Sequence, residues 1–189
     1  MVAAGQAPGA TGERSTPARP PRIRAVVLMG VSGCGKTTVG LALAHRMGWR
    51  FRDADEFHPP ANVEKMRAGT PLNDHDRWPW LDRLNAMLRH SIAKGHPVVL
   101  ACSALKQRYR DRLAHRVPGA LFVHLSGSVE LIESRLAGRQ HTYMPASLLR
   151  SQFEALEAPE DAFTVDVALP VEEIVERVRA RLLARQSNE

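Results

Sequence analysis

Residues Gly30 to Thr37 read Gly-Val-Ser-Gly-Cys-Gly-Lys-Thr and fit the pattern G-x-x-x-x-G-K-[ST]. The surroundings matter as much as the match. The apolar run Ile23-Arg24-Ala25-Val26-Val27-Leu28-Met29 precedes it, and Val39, Leu41, Leu43, Ala44 and Met47 follow at helical spacing. Strand, glycine-rich loop and helix in that order form a phosphate-binding unit. The glycines let successive N–H groups converge at the positive end of the helix dipole, and the resulting nest suits a polyphosphate. Gly30, Val31, Ser32, Gly33, Cys34, Gly35, Lys36, Thr37 and the adjoining Thr38 are therefore the expected contacts to ATP. Lys36 is expected to reach the β- and γ-phosphates, and the Thr37 hydroxyl to meet Mg²⁺.

The rest of the chain repeats the alternation. Trp49 to Asp55 alternates apolar and polar residues as a second strand would, and Pro97 to Cys102 is continuously apolar, as in a strand covered on both faces. Ala120 to Leu125 and Phe163 to Leu169 complete the strand set. Helices are expected over Trp80–Ala93, Leu105–Arg116, Val129–Ala137, Ser147–Leu156 and Val171–Arg185. Such alternation implies right-handed crossovers and an α/β three-layer sandwich around a central parallel sheet, with ligands at the C-terminal strand ends.

Two segments interrupt the pattern. Glu56 to Asp76 is long and polar, with a short helix over Asn62 to Ala68, and reads as a substrate-binding cap. Arg139 to Glu160 reads as a mobile lid. Residues 1–22, rich in Ala, Gly, Pro, Thr and Arg, have little to bury and are expected to be a disordered leader, which leaves 23–189 as a single domain.

A net charge of +6 raises the question of nucleic acid. The basic residues are dispersed, and none form a stripe interleaved with aromatics, so an anionic small substrate and nucleotide phosphates account for them better. No apolar run approaches the ~20 residues that cross a bilayer. The two cysteines, Cys34 in the loop and Cys102 after a strand, do not resemble a disulfide framework, and a cytoplasmic location is expected.

What is missing narrows the chemistry. The strand ending in Ala101-Cys102-Ser103 lacks the acid that motor ATPases place there for Mg²⁺, and no Asn-Lys-x-Asp stretch reads guanine. Asp53 and Asp55 are the available acids. If the second strand continued through them, both would face the same side, one toward the metal and one toward an attacking hydroxyl. An exposed turn that happens to hold two acids is the competing reading. Arg135 and Arg139 share a helix face at i, i+4 and suit a transferring phosphoryl group, unless that face is simply solvated.

The segments Asp53-Ala54-Asp55-Glu56-Phe57-His58-Pro59, Asn62-Val63-Glu64-Lys65-Met66, Gly69 to Arg77, Trp80-Leu81, Ala101 to Lys106, Tyr109-Arg110-Asp111 and Ser151-Gln152-Phe153-Glu154, added to the phosphate loop, are together specific. Between Ala25 and Leu169 the chain resembles the gluconokinases, small P-loop kinases related to shikimate kinase. The resemblance implies transfer of the γ-phosphate of ATP to the 6-hydroxyl of D-gluconate, and often a homodimer. The residues fit this chemistry, with Asp55 as general base, Asp53 as its structural or metal-side neighbour, Thr37 at the metal, and Lys36, Arg135 and Arg139 at the phosphoryl group. Arg77, Lys106 and Arg110 are candidates for the gluconate carboxylate, and His58, Asp74 and Ser103 for its hydroxyls. In the lid the family's Gly-His-Phe-Met-Pro pattern is replaced by His141-Thr142-Tyr143-Met144-Pro145. Related kinases acting on shikimate or a nucleotide, and an ATP-binding sensor without transferase activity, remain the alternatives at this point.

Overall fold

The structure is a computed structural model and describes residues 23–137 and 146–187. The leader (1–22) and most of the expected lid motif, Arg139 and His141 to Pro145 included, lie outside the described residues.

Five parallel strands form one sheet in the order β2-β3-β1-β4-β5. They are β1 (Ala25–Met29), β2 (Arg50–Asp53), β3 (Val98–Ala101), β4 (Ala120–Ser126) and β5 (Phe163–Asp166). The central strand pairs with β3 from Ala25 opposite Val98 and with β4 from Ala25 opposite Ala120. Because β1 is covered on both faces, every one of its residues is buried, and its alternation divides two cores. Val26 and Leu28 face a core with α1 (Lys36–Met47), α5 (Val129–Ala137), α6 (Ala146–Ala155) and α7 (Val171–Ser187). Ala25, Val27 and Met29 face the other core, built on α3 (Asp74–Ala93) and α4 (Gln107–Ala114). These are the three expected layers.

The boundary that departs most from expectation is the start of α3. It begins at Asp74, six residues before the apolar periodicity announces it. Asn73 accepts from the Asp76 N–H at 3.0 Å and Asp76 accepts from the Asn73 N–H at 3.1 Å, a reciprocal capping box that holds the polar first turn without apolar burial. Lys65 of α2 (Pro60–Arg67), the short helix expected over Asn62 to Ala68, donates to Asp76 at 2.6 Å, so the cap closes as a helical hairpin with α3. Asn85, buried within α3, donates to the main-chain oxygens of Leu113 and His115 at the end of α4 and fixes the two helices to each other.

β2 also ends earlier than expected. It stops at Asp53, and Ala54–Phe57 form a 3₁₀ turn, with Asp53 accepting from the Asp55 N–H at 3.1 Å. The strand periodicity therefore does not place Asp55.

Candidate active site

The phosphate loop leaves β1 at the C-terminal edge of the sheet, where the chain order switches sides, and this is where open parallel sheets bind ligands. Gly30 adopts φ +138°, and a Cβ there would lie 2.7 Å from the Leu125 carbonyl oxygen, so a side chain is excluded by both conformation and space. Its N–H donates to the Ser103 carbonyl at 3.2 Å, joining the loop to the end of β3. Cys34 is buried and Val31 lies in the same core, which pins the loop from below. Lys36 folds back over the loop, donating to the main-chain oxygens of Gly30 at 3.0 Å and Val31 at 2.9 Å. Thr37 and Thr38 open the exposed face of α1.

Asp53 closes this side of the site. Its Oδ2 accepts from the Thr37 hydroxyl at 2.9 Å, while Oδ1 takes the Asp55 N–H. Among the described residues no group of three or more His, Cys, Asp or Glu side chains is placed to hold a metal ion. A hydroxyl and a carboxylate side by side nevertheless match what Mg²⁺ requires beside a nucleotide, since it keeps waters and phosphate oxygens as its other ligands.

Asp55 projects into the open cleft, its side chain 88% exposed. Desolvation of the carboxyl, then the neighbouring Asp53, raise its pKa and Lys36 opposes them, each effect weakened by the water that reaches so exposed a side chain. His58 follows within the same turn, with Nε2 at 4.0 Å from Asp55 Oδ1. Its ring stacks on Trp80 at 4.3 Å between centroids and 11° between planes, and the Trp80 indole N–H is held by the Ala54 carbonyl at 2.8 Å. Burial, then the Arg77 charge, lowers the His58 pKa to about 4, so the ring is neutral at pH 7.

On the far wall of the cleft, Tyr109 is ringed by cations. Arg77, Lys106 and Arg108 lie 5.6, 5.9 and 5.6 Å from its ring centre. Its hydroxyl donates to Asp74 in a short hydrogen bond and accepts from Arg77 at 3.3 Å. Asp74 is also paired with Arg108. The Tyr109 hydrogen bond, with Arg108, Lys106 and Arg77 behind it, holds the Asp74 carboxyl below the usual range. Three cations against one carboxylate leave this wall positive, as binding of a carboxylate ligand requires.

Arg110 is not part of this wall. It is 3% exposed, and its guanidinium donates to the carbonyls of Ala104 and Leu105 and to Gln107. Those contacts brace the turn after β3, where Ala104 adopts φ +42°, and leave the Arg110 guanidinium facing main chain rather than the cleft. Ser103 sits in the same turn, half-buried beside the loop. Arg135 of α5 donates to the Val167 carbonyl at 2.6 Å. Arg139, its expected partner, lies outside the described residues.

Four participants carried no assigned role at the level of sequence, the first of them Arg108, which stands over Tyr109 and pairs with Asp74. Tyr109 organises the positive wall, and Asn62 contacts His58 Nδ1 at 3.4 Å. Gln152 of α6 accepts from the Ser32 N–H at 2.7 Å and donates to the Ser32 hydroxyl at 3.2 Å, across 120 residues of chain. Asn62 and Gln152 stand in family-like segments, but only their neighbours in space show what they touch.

Comparison with known proteins shows the family. The shikimate kinase family model matches residues 32–179. A gluconokinase from Gluconobacter oxydans (strain 621H) is 51% identical over 138 residues, covering 73% of this chain and 78% of that protein. A probable gluconokinase from Xenopus tropicalis is 45% identical over 175 residues, covering 83% of this chain and 92% of the other. Among solved structures, a gluconokinase from Sinorhizobium meliloti 1021 superposes with a TM-score of 0.77 at 44% identity, over 90% of this chain and 97% of its own. A family model matched over most of the chain, with relatives at these identities and coverages, means that the chain belongs to the shikimate kinase family, among its gluconokinases.

Proposed function

We propose that the protein phosphorylates D-gluconate at its 6-hydroxyl with ATP, giving 6-phosphogluconate and ADP. The observation that carries this reading is the turn Asp53–Asp55. One of its acids accepts from Thr37 of the phosphate loop, and the other stands 4.0 Å from His58, which in turn feels the charge of Arg77, the partner of Tyr109. A phosphoryl donor and a hydroxyl acceptor placed on the two sides of that turn meet at Asp55.

The residues then divide the work. The N–H groups of the loop and Lys36 hold the β- and γ-phosphates, for which Lys36 exchanges its contacts to the Gly30 and Val31 carbonyls. Thr37 and Asp53 would hold Mg²⁺, whose contribution is to neutralise charge across those phosphates. Arg77, Lys106 and Arg108 attract the gluconate carboxylate, with Asp74 and Tyr109 setting their positions. His58 and Ser103 serve the hydroxyls. As the 6-oxygen attacks the γ-phosphorus and the bond to ADP breaks, Asp55 takes the hydroxyl proton. Arg135, with Arg139, is the candidate for charge developing on the transferred group. The buried free thiols Cys34 and Cys102 suit a reducing cytoplasm.

An ADP-release assay with gluconate, shikimate, nucleoside monophosphates and no acceptor tests the reading. Release with gluconate alone is the expected result. Preference for another acceptor overturns it, and so does tight ATP binding without release under any condition.

A further inference from the structure

The two ring nitrogens of His58 face different neighbours. Nδ1 lies 3.4 Å from Nδ2 of Asn62, and Nε2 lies 4.0 Å from Oδ1 of Asp55. Asn62 is 4% exposed, and the same Nδ2 sits 2.8 Å from the main-chain oxygen of Asp76. This second contact decides which way the amide points. A carbonyl oxygen only accepts, so the nitrogen of Asn62, not its oxygen, must face Asp76. That nitrogen has two hydrogens, and the one not used by Asp76 is available to His58 Nδ1, 3.4 Å away. A ring nitrogen receives a hydrogen bond only through a bare lone pair.

We propose that Asn62 locks His58 in the Nε2–H tautomer, making His58 a fixed hydrogen-bond donor to acceptor oxygens beside Asp55, with Asn62 as its positioning residue. The ring is in no position to turn and exchange its nitrogens, because it is stacked on Trp80 and its side chain is only 5% exposed. Double protonation is opposed by Asn62, which would then set donor against donor, and by Arg77. Asp55 is the acid on the other side, 4.0 Å from Nε2, so a substrate oxygen set beside the pair, off the line joining them, can reach both groups. The low pKa of His58 agrees with a ring that stays neutral.

The tautomer matters for proton traffic. With Nε2–H as a donor, His58 holds a lone pair of the acceptor oxygen and leaves the hydroxyl proton to Asp55. A bare Nε2 would compete with Asp55 for that proton. The identity of the oxygen rests on the gluconate reading, whereas the tautomer does not.

Long-range ¹⁵N–¹H correlation on the full-length, histidine-labelled protein at pH 7 tests the proposal, with the His58 signals assigned by their loss in His58→Gln. The expected spectrum shows Nε2 protonated and Nδ1 bare. Asn62→Asp replaces the donor with an acceptor, so Nδ1 should gain the proton, and the acceptor KM should rise about tenfold while the ATP KM holds. A wild-type spectrum with Nδ1 protonated overturns the proposal, as does an Asn62→Asp protein whose Nδ1 stays bare. If that variant does not fold, the wild-type spectrum decides alone. A wild-type protein that does not phosphorylate gluconate defeats the functional reading without changing the spectrum.

Discussion

The hydroxyl of Thr37 donates to Oδ2 of Asp53 at 2.9 Å, and this bond joins the end of the phosphate loop to the end of β2, an edge strand. The strand order explains how the two meet. β3 lies between β1 and β2, and parallel pairing brings all three C-terminal ends to the same side of the sheet.

Asp53→Asn keeps an oxygen for Thr37 but removes the negative charge a divalent cation requires. The Mg²⁺ concentration for half-maximal rate should rise by about tenfold, with chelation abolishing turnover in both proteins. An unchanged Mg²⁺ titration would remove Asp53 from the metal side.

Asp55→Asn should lower kcat by about a hundredfold or more while leaving nucleotide affinity intact, because the group acts on the acceptor proton. The raised pKa adds a signature in pH. Turnover should fall on acidification through a value above the ordinary 3.8, since the protonated acid cannot accept. Between its unfolded and its folded pKa the native state holds more protons, so this carboxyl costs stability as pH rises through that window. Solvent at the exposed carboxyl screens the effect, so at pH 7 the variant should melt close to wild type and no lower, and calorimetry on both proteins checks it.

Tyr109→Phe removes the oxygen between Arg77 and Asp74 and keeps the ring under the three cations. The expected result is a gluconate KM higher by about fivefold to tenfold with the ATP KM unchanged. A rise in the ATP KM instead would place this wall on the nucleotide side.

Gln152→Ala should show the opposite pattern. Gln152 holds Ser32 by both its N–H and its hydroxyl, so its loss frees the first half of the phosphate loop from α6. The ATP KM should change severalfold and the gluconate KM little. Equal values for both constants in the variant and the wild type would make the contact incidental.

The glycine spacing and the apolar runs were enough to read an α/β sandwich and its phosphate loop, because those patterns are local. A strand buried on both faces shows it in consecutive residues, as Val98 to Ala101 do. The start of α3 was not legible from periodicity, since its first turn is held by the polar capping box of Asn73 and Asp76 and not by burial. Arg110 misled for a related reason. Its type suits a carboxylate, yet only the fold reveals that main-chain carbonyls had already claimed it.

By itself the sequence determined that a phosphate-loop motif would follow the first strand and that acids would stand near it, because motif and spacing act within a few residues. The tertiary structure decided which side chains share the acceptor recess. Asp55, Asn62, Arg77 and Tyr109 come from four different elements, and their distances follow from how α3 and α4 pack on the sheet and how the α2–α3 hairpin folds over its edge. Hydrogen bonds that settle a tautomer or commit a guanidinium are made through space, and chain order alone does not contain them.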